Sequence, residues 1–456
     1  MLQMICAQPV SASYDRMVTW SDMATDIDIS QILKTPYASR ANLFESNVSA
    51  SSIEVALRDA DGKIGSEFHI PASMRASVEF WLRVYTQYTT QQQVIFDARH
   101  PEIVYEVLDF KDIADTSRNA VVYEIRREHK LKSTLRAYAA AFDHLKSQTK
   151  SRKSSKKASK AHKPSREEER ILAAIKALKH KHTFGELRSN LRSQSGQRDN
   201  VMKGLLAAEA FLPRMEQIFT SVGVPPELTR LALVESSFDL RAYSRVGAVG
   251  VWQFMPNTGR RMLTIDHQRG IDERLSPIKS SVAAARLLRE NYQQFKSWPL
   301  AVTSYNHGLR GLTKFRRSKG ARDFREIAHL FDPCSSKSPL GWAGRNYYAE
   351  FLAMLHAEAY HGLFYGDVPS VQTRPLAYQR VEKNKTAMTI AMENGISIQR
   401  FRQSNPDIRN IHGKIPVGFW IALPGDADDF AGLTRPKSSK KRMISIARLS
   451  KKTRKV

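Results

Sequence analysis

Apolar residues recur along this chain at helical spacing over most of its middle. From Pro71 onward, Val78, Trp81, Tyr85 and Tyr88 fall along one face and predict a helix. Ser165-Arg166-Glu167-Glu168 has the form of a capping box, in which Ser and Glu satisfy orphan amides at a helix start. It opens a predicted helix Arg166–Lys179, with Ile171, Leu172, Ile175 and Leu178 on one stripe. A longer helix is predicted over Val201–Thr220, carrying Leu205, Phe211, Met215, Ile218 and Phe219. Ser276-Pro277 is a favoured N-cap and N1 pair, and Ile278, Val282, Ala285 and Tyr292 follow it at helical spacing. Residues 165–365 therefore read as an all-helical region. Residues 14–65 show no sustained period and predict no element.

One stripe contains an anomaly. In LTRLALVESSFD, Leu228 to Asp239, the residues Leu228, Leu231, Ala232 and Glu235 share a helix face, and only the last is polar. A carboxyl facing a core is costly to ionise, and the negative end of the helix dipole opposes its charge as well. Both effects favour a general acid that keeps its proton near neutral pH. The plainer reading is a Glu at a stripe edge, reaching solvent or paired with Arg241 or Arg245.

Composition narrows the classes. A chain of 456 residues implies two or three domains. No apolar run approaches the roughly 20 residues of a membrane-spanning helix. Cys6 and Cys334 are the only cysteines, too few for a disulfide framework or a thiolate zinc site, and neither HExxH nor GxxxxGK occurs. No metal or cofactor is expected. The formal charge of +26 favours polyanionic partners such as nucleic acid, anionic membrane or an acidic wall polymer. It is concentrated in Lys146–Ser165 and Arg435–Val456, Ser-rich basic runs that read as solvated linker and tail. No aromatic residues interleave with those charges, so no specific nucleic-acid partner is expected. At the N-terminus, MLQMICAQPVSASYDR is similar to the end of a secretory signal peptide whose start is missing, and predicts export to the periplasm or cell envelope.

The residues around Glu235 carry a resemblance. Glu235-Ser236, Ser244, Gly250-Val251-Trp252-Gln253-Phe254-Met255-Pro256, Tyr305-Asn306-His307-Gly308 and Arg345-Asn346-Tyr347 appear in order. Together they resemble the catalytic core of the soluble-lytic-transglycosylase family, with His307 where that family often has Ala. The resemblance implies a lysozyme-like helical domain that cleaves peptidoglycan, with Glu235 as the acid at the N-acetylmuramic acid to N-acetylglucosamine bond. It implies substrate contacts from Ser236, Ser244, Gln253, Met255, Tyr305, Asn306 and Tyr347. The chemistry of these residue types agrees. Gln253 and Asn306 offer amides for a sugar acetamido group, Met255 an adaptable apolar wall, and Tyr305 a hydroxyl for Glu235 or the sugar. For Met255 and Trp252 ordinary packing is the competing reading.

Tyr378–Pro424 resembles a LysM module, a strand–helix–helix–strand unit that binds glycans containing N-acetylglucosamine. Tyr378–Val381 and Phe419–Leu423 match its strands, and Asn384-Lys385-Thr386 stands where a Gly-Asp-Thr turn is usual. A catalytic core followed by such a module resembles the D type of membrane-bound lytic murein transglycosylases. The expected fold is mainly α, with a small α+β domain of βααβ order. The expected divisions are an N-terminal segment 1–65, a helical extension 66–145, a basic linker 146–165 and a catalytic region 166–366 with its core at about 215–366. The LysM-like domain at 376–424 and a basic disordered tail at 425–456 complete the chain. Non-hydrolytic peptidoglycan cleavage is the expected activity, with hydrolytic muramidase action and non-catalytic wall binding as alternatives.

Overall fold

Local signals hold where their chemistry is complete. In the computed structural model, which describes residues 48–154, 163–176, 182–319, 340–366 and 375–434, Ser165 accepts from the Glu168 amide and Glu168 returns the bond, so the capping box forms. Ser276 likewise accepts from the Lys279 amide and starts the helix Pro277–Phe295. The helix predicted over Val201–Thr220 is instead two, Arg198–Ala208 and Leu212–Ser221. Pro213 lies in the first turn of the second, where its missing N–H is tolerated, and it cannot continue the first. Ala50–Arg58 forms a helix, capped by Ser49, in the stretch where no element was predicted. The signal-peptide expectation falls on residues outside those described.

The N-terminal region departs from the all-helical reading. Strands β1 (Gln92–Asp97), β2 (Val104–Asp109) and β3 (Leu191–Ser195) form an antiparallel sheet in the order β2-β1-β3. The 35-residue helix Ala120–Ser154, which takes in the start of the expected linker, packs on it with helices Arg166–Ile175 and Phe184–Asn190. Ile95, Tyr105, Tyr138, Phe142 and Ile171 fill a core of their own. Residues 66–145 are therefore a mixed α/β extension, and the segment 166–195 completes that extension rather than opening a catalytic domain. Periodicity misses β1 because Val94, Ile95 and Phe96 are all buried, so no alternation shows. It misses β3 because LRSQS has no strand signature, and its pairing from Gln93↔Ser195 to Asp97↔Leu191 makes it a strand.

The helical body is built around the helix Trp342–Ala359. Its buried Tyr347, Phe351 and Leu352 share one core with Val78, Trp81 and Leu82 of the helix Arg75–Thr86. Trp81 Nε1 donates to Asn346 Oδ1 at 3.2 Å, pinning the residue beside Tyr347. The extension thus buttresses the body directly.

At the C-terminus β6 (Leu376–Arg380) pairs antiparallel with β9 (Trp420–Pro424), and helices Ala387–Glu393 and Ile398–Ser404 lie between them in sequence. This is the expected βααβ order, with a two-residue pair β7 (Lys385–Thr386) and β8 (Lys414–Ile415) added. The unit is docked on the body. Lys279 Nζ, from the helix Pro277–Phe295, lies 2.5 Å from Asp407 Oδ2 and 2.5 Å from the Trp420 carbonyl. The tail reading also fails for residues 425–434. Arg214 pairs with Asp428 at 2.9 Å, and Phe430 and Leu433 enter the main core. Two apolar side chains in an acidic stretch suffice to dock it, whereas the basic run Arg435–Val456 lies outside the described residues.

Candidate active site

Glu235 is presented by a short helix, Leu231–Ser236, entered through a 3-10 turn at Pro226–Arg230. Leu228, Leu231 and Ala232 are fully buried, as their stripe requires. The helix stops because Ser237 and Phe238 both adopt positive φ, 49° and 57°. Two consecutive non-glycine residues in that region carry a strain of about 1–2 kcal/mol each. Burial of Phe238 and the bond from the Ser237 amide to the Leu233 carbonyl at 2.8 Å hold them there. Glu235 therefore lies in a final turn, half-buried. Among the described residues it forms no ion pair, with Arg241, Arg245 or any other.

Tyr347 completes this half of the site. Its hydroxyl donates to Glu235 Oε1, and the ring is fully buried. Burial raises the Glu235 carboxyl to about 7, against the smaller lowering by the Tyr347 bond. A carboxyl so placed carries its proton over much of the neutral range. Burial, then the proximity of Glu235, keeps both Tyr305 and Tyr347 protonated, so Tyr347 remains a donor.

The opposite wall is a tight turn, Tyr243 to Phe254, closed by bridges Tyr243↔Val249 and Val249↔Phe254. Ser244 builds it: its Oγ accepts from the Ala248 amide at 2.8 Å. Gly250 is obligatory, since a Cβ at its φ of 77° would meet the Arg274 carbonyl oxygen at 2.0 Å. Gln253, itself at φ 45°, turns its Nε2 inward to the carbonyls of Gly250 (2.9 Å) and Ala242 (3.3 Å). Ser236 Oγ donates to the Val251 carbonyl at 3.1 Å and ties the Glu235 helix to the turn. Tyr305 donates to the Trp252 carbonyl at 2.9 Å rather than to Glu235. Trp252 is a packing residue, fully buried and bonded through Nε1 to Ser281 Oγ at 2.8 Å. Met255, 38% exposed, is not core. Asn306 lies half-buried at the end of the helix Trp298–His307.

Thus the side-chain hydrogen bonds of Ser236, Ser244 and Tyr305 go to backbone and shape the walls, and Tyr347 alone among them bonds Glu235. One group escaped the sequence reading. Glu350, one helical turn beyond Tyr347, is buried, and burial together with the Glu235 charge raises its carboxyl to about 8. Its signal was the one that marked Glu235: a carboxyl in an apolar helix, here NYYAEFLAML. The carboxylates in the neighbouring loops are engaged elsewhere. Asp266 pairs with Arg269 and Asp272 with Arg274, Glu273 accepts from the Thr264 amide, and Asp239 accepts from the Arg241 amide.

Comparison with known proteins finds likeness over the segment that holds Glu235. Residues 220–328 match the transglycosylase SLT domain, a span that includes Glu235 and the whole turn but not Tyr347. The chain is 27% identical over 192 residues to the membrane-bound lytic murein transglycosylase D of Escherichia coli strain K12. The same identity and length hold for its counterpart in Escherichia coli O6:H1. Each match takes in 41% of this chain and 40% of the relative, so the chain spans less than half the length of the curated relatives it matches.

Proposed function

We propose that this protein is a lytic murein transglycosylase of the cell envelope, cleaving peptidoglycan without water and leaving 1,6-anhydromuramic ends. The observation that carries this reading is the isolation of Glu235: a carboxyl raised to about 7, bonded by Tyr347, in the SLT-matching segment. Protonated Glu235 gives its proton to the glycosidic oxygen as the C1–O bond breaks. The resulting carboxylate then takes the proton of the muramic-acid C6 hydroxyl, whose oxygen closes on C1. Atoms balance with no water consumed, and one carboxyl serves both steps. A two-carboxylate hydrolase needs a second, ionised Asp or Glu across the bond. Asp266 and Asp272 are paired with arginines, Glu273 and Asp239 accept backbone amides, and burial together with the Glu235 charge pushes Glu350 up towards its neutral form.

Around Glu235 we assign Ser236, Ser244, Gln253, Met255, Tyr305, Asn306 and Tyr347 to the walls that receive the glycan. The βααβ unit is read as a LysM-like module for N-acetylglucosamine-containing glycan. Among the described residues no helix is long and apolar enough to cross a membrane. Hydrolytic muramidase action is the second reading, favoured only by the electrostatic coupling of Glu350 to Glu235. Mass spectrometry of digested sacculi decides between them. Anhydromuropeptides, each one water lighter than the hydrolysed species, are expected, whereas reducing-end products alone would overturn the non-hydrolytic reading and make Glu350 the second carboxylate to test.

A further inference from the structure

The C-terminal unit reaches the turn opposite Glu235 through a continuous set of polar contacts. It grips the hairpin formed by β4 (Ile265–Asp266) and β5 (Ile271–Asp272). Ile271 lies in the unit's own apolar core and bridges Ile408. The Asp272 amide donates to the Asp407 carbonyl and the Arg409 amide to the Gly270 carbonyl, each at 2.8 Å. At Gly270, φ 66°, a Cβ would come within 2.6 Å of Asn410 Cβ, so the hairpin tip lies flat against the unit. The clamp below it is the ion pair of Lys279 and Asp407, 4% and 0% exposed, with Lys279 also over the Phe419 ring at 4.1 Å.

The other face of the hairpin holds Arg274. Asp272 accepts from Arg274 Nε at 2.9 Å and from Nη2 at 2.7 Å. Arg274 Nη1 then donates to the carbonyls of Gly247 (3.0 Å), within the turn, and Phe254 (3.2 Å), at its end. The guanidinium is a rigid fork, and its position fixes both strands of the turn at once. Ser236 ties that turn to the helix that carries Glu235, and Tyr305 ties it to the helix Trp298–His307.

We infer that the C-terminal unit is a brace for the glycan-facing turn: Asp407 and the Ile265–Asp272 hairpin fix Arg274, and Arg274 fixes Gly247–Phe254 beside Glu235. Arg274, Asp272 and Asp407 are then positioning residues for cleavage. The inference rests on the reading of the turn as a substrate wall. It adds a role in cleavage to the glycan-binding reading of the unit, since a module joined only by a flexible tether would leave turnover of short soluble glycans unchanged.

The test uses the full chain. Arg274→Lys keeps the charge and loses the fork, and leaves the Lys279–Asp407 pair intact. It should speed deuterium uptake at residues 247–255 and raise KM for soluble glycan more than it lowers kcat. A displaced wall is expected to cost kcat/KM on the order of tenfold to a hundredfold. Asp407→Ala should act in the same direction, and the apolar pair Lys279→Met with Asp407→Leu should restore both readouts towards wild type. Folded Arg274→Lys with wild-type uptake and wild-type KM would overturn the brace, whatever Asp407→Ala does to folding. If the wild-type chain cleaves no glycan, the enzymatic reading fails, and uptake at 247–255 alone decides whether the unit braces the turn.

Discussion

Glu235 is a half-buried carboxyl and Asp407 a fully buried one, and they stand in opposite electrostatic settings. Glu235 has a phenol for a partner and no cation, so burial dominates and lifts it to about 7. Burial also pushes Asp407 up, but the Lys279 ammonium at 2.5 Å opposes that shift. An unpaired carboxyl within reach of solvent is a proton donor at neutral pH. A paired carboxyl with no exposure is a clamp. Burial alone does not distinguish acid from fastener; the identity of the partner does.

The largest expected effect breaks the comparison at its acidic end. Glu235→Gln keeps shape and removes the proton, and should slow clearing of purified sacculi on the order of a thousandfold. The substitution carries a stability signature as well. The folded-state value of Glu235, about 7, lies above its ordinary 4.5, so wild-type stability falls as pH rises through that window. The variant should therefore gain melting temperature over wild type at pH 8 and little at pH 4. Near wild-type clearing would mean that another residue is the acid.

Next in size is the clamp. Asp407→Ala leaves the buried Lys279 ammonium with only the longer Glu273 pair at 3.6 Å and should cost about 3 kcal/mol in denaturant unfolding. Lys279→Met with Asp407→Leu should recover most of that loss. A single variant as stable as wild type would show that the ion pair is not what seats the unit.

The smallest effect sharpens the comparison by removing the one hydrogen-bond partner that the Glu235 carboxyl has among the described residues. Tyr347→Phe takes away a hydrogen bond that favours the ionised form, so the Glu235 carboxyl should titrate higher. The alkaline limb of the kcat/KM profile should move to higher pH, with a loss of about tenfold at the optimum from poorer orientation. A limb that stays in place would place the titrating group elsewhere.

Much of the site was written in the linear chain. An apolar stripe ending in a carboxyl marked Glu235 as an anomaly, whereas the family resemblance, not periodicity, picked out Gly250, Gln253 and Tyr305; of these Gly250 has a steric requirement of its own. The capping box at Ser165 and the N-cap at Ser276 formed as read, since their partners lie within three residues. Such features depend on neighbours in sequence, so sequence alone determined them.

Tertiary structure decided the rest, because the deciding contacts join residues far apart in the chain. Leu191–Ser195 is a strand only because β1, about a hundred residues earlier, offers an edge to pair with. Tyr347 rather than Tyr305 bonds Glu235, a choice between two phenols that no spacing reveals. Lys279 and Asp407, 128 positions apart, read as a surface helix lysine and a loop aspartate until the βααβ unit is seen seated on the body. Short-range hydrogen bonds and periodicity fix the elements, whereas burial, and with it the charge state of Glu235, Glu350 and Asp407, exists only once the elements have packed.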